Sequence, residues 1–197
     1  GIGANLMAER GLDVIAVEPN PTMAANFQIH PRIRLHRGTA EETNLPDASV
    51  DIVACFQSFH WFRPMEALVE FKRILKAKGR LAVVWNYRDR TDDVTQVYSR
   101  ILEGCRHYPL YTSGYSAGIE AFDRTSLFND IDRYSFPYEQ YLSREGLIGL
   151  SDSMSYFPEK EPERQTRLQE LETFYSNCCD RSGRVRIRYQ TVVYLCQ

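Results

Sequence analysis

The sequence predicts an α/β fold in which a mostly parallel sheet is flanked by helices and ends in an antiparallel C-terminal strand. Short apolar runs alternate with helical patterns over residues 1–87, the order expected of strands joined by helical crossovers. The runs at residues 50–56 and 80–86 are almost continuously apolar, as in strands buried on both faces. Residues 132–142 and 184–196 are β-patterned and can pair as an antiparallel addition to the sheet edge.

The first elements are a helix and three strands. Residues 2–10 contain helix formers and are followed by Gly11, the residue type typical of a helix C-terminus. Residues 13–19 form a short apolar run between turn-forming residues, which predicts a buried strand. Residues 33–37 alternate between apolar and polar side chains, and residues 50–56 form another apolar run. Both patterns predict further strands.

The middle of the chain is predicted to be a helix, a strand, a second helix and a loop. Residues 65–76 place apolar side chains at helical spacing, and Gly79 is expected to end that helix before the strand at residues 80–86. Residues 92–108 again have a helical pattern. Residues 108–118 are rich in Tyr, Ser, Gly and Pro, which predicts a loop.

Two more helices are predicted at residues 145–154 and 161–178, between the last two strands. No repeat, low-complexity tract or linker divides the 197 residues, and a chain of this length can bury one core. We therefore expect residues 1–197 to belong to a single domain, with residues 88–130 as an insertion or lid.

Composition disfavours nucleic acid and membranes as partners. The formal net charge is −2, which provides no positive field for a phosphate backbone. The basic residues between 181 and 188 alternate with apolar ones, as on the solvent face of a strand. No apolar run approaches the roughly 18–20 residues needed to span a bilayer. The sequence does not indicate an oligomeric state.

The cysteines predict neither a disulfide framework nor a metal site. There are five, an odd number, and none are in C-x-x-C spacing. Reduced thiols in a cytoplasmic protein fit this pattern best.

Residues that follow the strands are the candidates for ligand binding, because a parallel sheet binds ligands at the carboxyl ends of its strands. Gly1 and Gly3 open a helix, where missing Cβ atoms and free N–H groups allow a ligand to approach, although a simple turn explains them equally. Glu18 ends the first visible strand, where a carboxylate can accept hydrogen bonds from both ribose hydroxyls of a nucleoside. It can also cap the turn at Pro19.

Two further segments follow strands. The loop that contains Thr39, Ala40 and Glu41 can offer backbone N–H groups and a short polar side chain to an adenine edge. Residues 57–62 place an imidazole and three aromatic rings at the next strand end. These rings either shield a cofactor and stack on a substrate, or pack the core.

These residues resemble the class I S-adenosylmethionine-dependent methyltransferases, in the small-molecule branch that includes trans-aconitate methyltransferase-like proteins. Gly1 is similar to the last glycine of the family's G-x-G-x-G run, and Glu18 has the place of its ribose-binding acid. Thr39-Ala40-Glu41 before Leu45-Pro46 is similar to the family's Asp-Ala-Glu before Leu-Pro, with Thr in place of Asp. The aromatic segment 59–62 and the turn before residue 80 are also similar.

The resemblance implies a Rossmann-like fold whose first strand is missing from this chain, so that two neighbouring strands are exposed to water. It implies methyl transfer from S-adenosyl-L-methionine to a small-molecule acceptor by in-line displacement, with no metal. The implied cofactor-binding residues are Gly1, Gly3, Glu18, Pro19, Thr39, Ala40, Glu41 and Gln57.

The remaining candidates concern the acceptor. His60 is the nearby candidate base for a hydroxyl acceptor, although a purely structural histidine is the alternative. Because they follow strand ends, the expected acceptor-binding residues are Trp61, Trp85, Tyr87 and Tyr111.

The sequence leaves open the role of four arginines and two alternatives to methyl transfer. Arg32, Arg34, Arg88 and Arg90 can attract an acidic substrate, or they can be ordinary surface charges. An NAD(P)-dependent Rossmann oxidoreductase also uses a glycine loop and an acid after the second strand. The antiparallel C-terminal strand and the aromatic segment favour methyl transfer. A non-catalytic protein that retains the fold is the third possibility.

Overall fold

The computed structural model describes residues 1–27 and 30–197, except for the side chain of Tyr111. The helices in this part are α1 (Ile2–Glu9), α2 (Pro21–Ala25), α3 (Pro64–Ile74), α4 (Asp93–Glu103), α5 (Tyr108–Arg124), α6 (Arg144–Asp152) and α7 (Glu163–Cys178), with a 3-10 turn at Phe59–Trp61. The strands are β1 (Val14–Val17), β2 (Ile33–His36), β3 (Val50–Phe56), β4 (Leu75–Arg88), β5 (Asp132–Leu142) and β6 (Val185–Cys196).

Short polar side chains begin three of the helices. The side chain of Asn20 accepts hydrogen bonds from backbone N–H groups in the first turn of α2, where Pro21 also occupies an early position. Asp92 caps α4 in the same way, and Ser143 caps α6. Such caps satisfy N–H groups that have no partner within the helix, so these starting points follow from local sequence.

The strands are arranged in two sheets. β1 and β2 are parallel, with Val14 opposite Ile33 and Val17 opposite His36. The second sheet has the strand order β3-β4-β6-β5. Backbone N–H groups of Ala48 and Ser49, just before β3, bond to the carbonyls of Arg73 and Ile74, the last two residues of α3 directly before β4. Residue numbers therefore rise together on the two segments, so β3 and β4 run in the same direction.

The C-terminal strand β6 runs antiparallel to its neighbours. Leu81 contacts Cys196, whereas Asp89 donates its backbone N–H to Arg188, so residue numbers rise on β4 as they fall on β6. Asn129 and Gln197, which flank β5 and β6, exchange both backbone hydrogen bonds, as an antiparallel pair does. The predicted α/β class with an antiparallel C-terminal strand is confirmed.

The predicted end of the helix at residues 65–76 is wrong. Residues 65–76 were expected to be helical up to Gly79, but α3 ends at Ile74 and Gly79 lies within β4. The carbonyl of Ile74 accepts a hydrogen bond from the N–H of Ser49, so pairing toward β3 already begins there. Pairing with a distant strand therefore overrides the helical spacing of the last apolar residues.

The loop predicted at residues 108–118 is also wrong, because helix α5 covers this segment. The hydroxyls of Thr112 and Ser113 donate hydrogen bonds to the carbonyls of Pro109 and Leu110 within the helix. Tyr115 on the same helix packs against aromatic residues of β4. Tertiary packing thus decides a segment whose composition is typical of loops.

The chain divides into two compact units. The first comprises residues 1–83, 120–131 and 195–197, and the second comprises residues 84–119 and 132–194. In the first unit, the buried ring of Phe59 stacks on Phe122 at a centroid distance of 5.3 Å. The core of the second unit includes Tyr98, Leu102, Leu147, Leu171, Phe174, Val185 and Ile187. The single-domain organisation and the insertion at residues 88–130 stay predictions.

Strands β1, β2 and β3 of the first unit expose apolar side chains. Ile15, Leu35, Ile52 and Phe56 are between 37% and 49% exposed. The prediction that residues 13–19 and 50–56 form buried strands is therefore wrong, whereas the resemblance implies that two neighbouring strands are exposed. The physical reason is that β1-β2 and β3-β4 belong to separate sheets, so the side chains of these strands lack the neighbouring strand that a continuous sheet would provide within the described part. No helix in the described residues is long and apolar enough to cross a bilayer.

Candidate functional site

Helix α1 begins at two glycines that pack closely against aromatic rings. A Cβ atom on Gly3 would lie 2.6 Å from the ring of Phe56, and one on Gly1 would lie 2.9 Å from the ring of Phe27. Within the described residues, no side chain caps the N-terminus of this helix. Close packing thus explains why both positions are glycine, and no side chain in the described part of the chain caps the first N–H groups of α1.

The carboxylate of Glu18 is held at the carboxyl end of β1. One of its oxygens accepts a hydrogen bond from the backbone N–H of Asn20 at 2.9 Å, and its own N–H bonds to the carbonyl of His36 on β2. Its second oxygen has no hydrogen bond within the described residues. Pro19 is exposed beside it. One oxygen of this carboxylate therefore caps the turn, and the other is available to a ligand.

The loop after β2 is closed by its own hydrogen bonds. The Thr39 hydroxyl accepts from the N–H of Glu42 at 3.1 Å, and the Thr39 N–H donates to the carbonyl of Glu42 at 3.0 Å. Glu41 accepts a hydrogen bond from the N–H of Arg63, directly before α3, at 2.8 Å. Burial raises the pKa of Glu41, but this bond and other hydrogen bonds outweigh it, so the pKa lies below its ordinary value. Glu41 thus ties the loop to a helix.

A second tie was missed by sequence reasoning. Glu70, buried on α3, accepts hydrogen bonds from the N–H of Thr43 at 2.8 Å and from the Thr43 hydroxyl. Arg73 donates two further bonds to the same carboxylate, both 2.7 Å. The hydrogen bond from Arg73, with those from Thr43, lowers the pKa of Glu70 to about 2 despite its burial. The signal was available, since Glu70 is a charged residue on the apolar face of a predicted helix.

The segment after β3 contains both buried and exposed aromatic side chains. Gln57 has a φ of 51°, a left-handed conformation that is uncommon for a residue with a side chain. Phe59 and His60 are buried, whereas Trp61 is 59% exposed. Burial lowers the pKa of His60 to about 4, so its imidazole is neutral and weakly basic at neutral pH. Its ring lies 4.8 Å from that of Trp61, between centroids.

The second unit contains a separate aromatic cluster. Trp85, with 0% of its surface exposed, packs against Tyr87, Tyr115 and Tyr194 at centroid distances of 6.2, 5.5 and 5.5 Å. Two predicted acceptor-binding residues, Trp85 and Tyr87, are therefore in contact. The side chain of Tyr111 lies outside the described part. The structure thus gathers the cofactor candidates in the first unit and these aromatic residues in the second.

The strand ends of the first unit fit the nucleoside part of a cofactor. Among the described residues, one carboxylate oxygen of Glu18 has no hydrogen-bond partner, and Glu18 lies beside the loop that contains Thr39 because β1 and β2 pair in parallel. A carboxylate of this kind accepts hydrogen bonds from ribose hydroxyls. Among the described residues, no group of three or more His, Cys, Asp or Glu side chains is arranged to hold a metal ion.

Comparison with known proteins identifies the family of this chain. Residues 1–83 match the family model described as a methyltransferase domain. An uncharacterised methyltransferase of Mycobacterium tuberculosis is 35% identical over 154 residues, which cover 76% of this chain and 58% of that protein. An uncharacterised methyltransferase-like protein of Schizosaccharomyces pombe is 32% identical over 195 residues, which cover 96% of this chain and 75% of that protein.

A solved structure shares the fold. It is named as a candidate type II methyltransferase from Anaeromyxobacter dehalogenans, and it superposes with a TM-score of 0.63 at 17% identity. The match covers 92% of this chain and 78% of that one. The chain therefore spans less than two thirds of its mycobacterial relative, but most of the length of the solved structure.

Proposed function

This chain belongs to the methyltransferase family, and from that premise we propose that it moves a methyl group from S-adenosyl-L-methionine to a small-molecule acceptor by in-line displacement. The observation that carries the proposal is the partly free carboxylate of Glu18 at the end of β1, next to the loop after β2. An acid in this place is the feature that a nucleoside-containing cofactor requires.

Different residues of the first unit bind the ribose and the adenine of the cofactor. Glu18 accepts hydrogen bonds from the ribose hydroxyls, and Thr39, Ala40 and Glu41 form the wall for the adenine. The bound cofactor supplies an activated methyl group on a sulfonium, so the protein needs no covalent nucleophile. Its contribution is alignment and the exclusion of water.

The acceptor is a small molecule that needs little help from a base. His60 is buried with a pKa of about 4, which makes it a poor acceptor for the proton of a hydroxyl. An acceptor that is already anionic, such as a carboxylate, removes that requirement. An anionic acceptor supports the trans-aconitate methyltransferase-like branch, with Trp61, Trp85, Tyr87 and Tyr111 on the acceptor side.

Five free thiols support a cytoplasmic location.

We also propose that a strand from a preceding segment of the protein lies between β1 and β3. Helix α1 packs against β1 and β2, and its Gly3 contacts Phe56 on β3, so one helix borders both sheets. A parallel strand before α1 would make that helix a normal crossover to β1 and would cover the exposed Ile15 and Ile52. The greater length of the mycobacterial relative supports such a segment.

Calorimetric titration tests both proposals. We expect S-adenosylmethionine to bind a form of the protein that includes the natural residues before Gly1, and to bind residues 1–197 much more weakly. Glu18→Gln should weaken binding by about tenfold, because it removes charge-assisted hydrogen bonds. Glu9→Gln, at an exposed position on α1, is the matched control and should change nothing.

Three results would contradict these proposals. Binding of NADH without binding of S-adenosylmethionine would favour an oxidoreductase. Cofactor binding with no methyl transfer across a broad acceptor panel would favour a non-catalytic protein. Equal affinity of the long and short forms would exclude the preceding segment from the cofactor site.

A further inference from the structure

Arg88, the last residue of β4, lies against a wall of buried hydroxyl groups and rings in the second unit. Its Nε donates a hydrogen bond to Ser99 Oγ at 3.1 Å, and its Nη1 donates one to the Tyr156 hydroxyl at 3.3 Å. The guanidinium carbon is 5.9 Å from the centre of the Tyr98 ring. Tyr98, Ser99 and Tyr156 are all buried, so one side of this cation is held in a low-dielectric environment.

None of these partners carries a compensating charge. The Ser99 hydroxyl donates its own proton to the carbonyl of Thr95 at 2.8 Å, and the Tyr156 hydroxyl donates to the sulfur of Met154 at 2.9 Å. Both oxygens therefore present lone pairs to Arg88 as neutral acceptors. Within the part of the chain that the structure describes, no carboxylate forms an ion pair with Arg88.

Neighbouring arginines of the same unit are different. Arg90 pairs with Glu103, and Arg186 pairs with Asp92 at 2.9 Å. Arg188 lies 3.5 Å from Glu139. Carboxylates are thus available around β4 and β6, yet none among the described residues forms an ion pair with Arg88. A half-buried cation with no carboxylate partner among the described residues is unfavourable for folding alone, which marks it as a candidate binding residue.

We propose that Arg88 binds a carboxylate group of a small-molecule ligand. The guanidinium uses Nε and one N–H of Nη1 for the protein, which leaves Nη2 and the second N–H of Nη1 as a fork that matches two carboxylate oxygens. One positive charge surrounded by neutral hydroxyls suits a carboxylate better than a doubly charged phosphate. That the carboxylate belongs to the methyl acceptor rests on the proposed function.

The alternative is that Arg88 only ties β4 to α4 through Ser99. In that case its removal would lower stability without any effect on anions. An Arg88→Lys substitution distinguishes the two roles. Lys keeps the positive charge and much of the packing, but it lacks the planar pair of N–H groups that binds a carboxylate.

Binding is measured by calorimetry and by the NMR signal of the Arg88 Nε–H, with succinate, neutral succinamide and inorganic phosphate as probes. Arg88→Met and Arg88→Lys are compared with Arg100→Met, which removes the same charge from an exposed residue of α4 whose side chain bonds to Gln96. Each protein is first checked for cooperative unfolding and for its near-ultraviolet circular dichroism.

We expect succinate to bind the unmodified protein saturably and to shift the Nε–H signal, while succinamide does not. Arg88→Met should weaken succinate binding by about tenfold or more, Arg88→Lys by a similar factor, and Arg100→Met by less than about twofold. If Arg88→Met does not fold, the Arg88→Lys comparison decides. Unchanged succinate affinity in the folded Arg88 variant, or binding of phosphate alone, would overturn the proposal.

The same samples are titrated with S-adenosylmethionine and assayed for methyl transfer. Succinate binding that depends on Arg88 without any methyl transfer would support the anion site and contradict the proposed function. Methyl transfer to neutral acceptors that is unaffected by Arg88→Lys would support the function and contradict the carboxylate site as part of it.

Discussion

The carboxylate of Glu70 on α3 accepts a hydrogen bond from the backbone N–H of Thr43, on the loop after β2, at 2.8 Å. The same carboxylate is bound by Arg73, and Glu41 of the same loop bonds to the N–H of Arg63, directly before α3. Two points along one helix therefore hold the loop that is proposed to contact adenine. The shape of this loop depends on residues more than twenty positions away in sequence.

Glu70→Gln should lower the free energy of unfolding at neutral pH by about 1–3 kcal/mol, because it weakens a buried charge-assisted network. The pKa of Glu70 is about 2 in the folded state against an ordinary value of 4.5, so the stabilisation is complete above pH 4.5 and is lost as the pH falls toward 2. Urea unfolding at several pH values should show the variant and the unmodified protein converging in acid. Glu66→Gln is the control, since Glu66 pairs with Arg63 at the surface. A gap that persists at the lowest pH would refute this account.

Gly3→Ala should destabilise the protein by about 1–2 kcal/mol, because the added methyl group would lie 2.6 Å from the Phe56 ring. Gly149→Ala is a matched control in helix α6, where an added Cβ meets nothing within 4 Å, and it should stabilise by about 0.5–1 kcal/mol. Chemical denaturation measures both changes. In a Phe56→Ala background the Gly3→Ala penalty should largely disappear. Equal penalties in both backgrounds would show that the contact with Phe56 is not the cause.

His60 should titrate at about pH 4, because burial disfavours its charged form. Since its pKa is depressed from 6.5, His60 contributes stability that is complete above pH 6.5 and is lost as the pH falls toward 4, by up to about 3 kcal/mol. NMR titration of the histidine ring protons checks the pKa directly. His60→Gln should flatten the pH dependence of stability in this window, and His107→Gln, at an exposed position, should not. A ring that titrates near pH 6.5 would contradict the buried placement.

The two tryptophans should respond in opposite ways to a soluble quencher. Trp61 is 59% exposed and Trp85 is 0% exposed. A Trp85→Phe variant, which retains only Trp61, should show red-shifted emission that acrylamide quenches efficiently. A Trp61→Phe variant should show blue-shifted emission that is protected. Similar quenching of both variants would mean that Trp85 is accessible. Protection would mean that a role for Trp85 in acceptor binding requires its neighbours to move.

Much of the fold was predictable because its signals are local. The strand at residues 132–142 was predicted with the bounds of β5, and the strands near residues 14, 33 and 50 were predicted within two residues. Alternation and apolar runs report on a few neighbouring residues, and these are enough to define such elements. The pattern also placed Glu18 at the end of its strand. Whether it binds ribose stays a prediction.

Other features depended on partners that are distant in sequence. Gly79 lies within β4 because pairing with β3 begins at Ile74, and α5 is helical although its composition is typical of a loop. Sequence placed Arg88 among four equivalent arginines. The structure distinguishes Arg88 by its contacts with the buried Tyr98, Ser99 and Tyr156, and it pairs Arg90 with Glu103.

The sequence by itself therefore determined the class of fold, the positions of most strands, and the family to which the chain belongs. Tertiary structure alone decided which polar groups form hydrogen bonds with each other. Thr43 bonds to Glu70, 27 positions away in the sequence, and Arg88 bonds to Tyr156, 68 positions away. The physical reason is that a hydrogen bond or an ion pair depends on distances of about 3 Å between atoms. Local periodicity contains no information about such distances between remote segments.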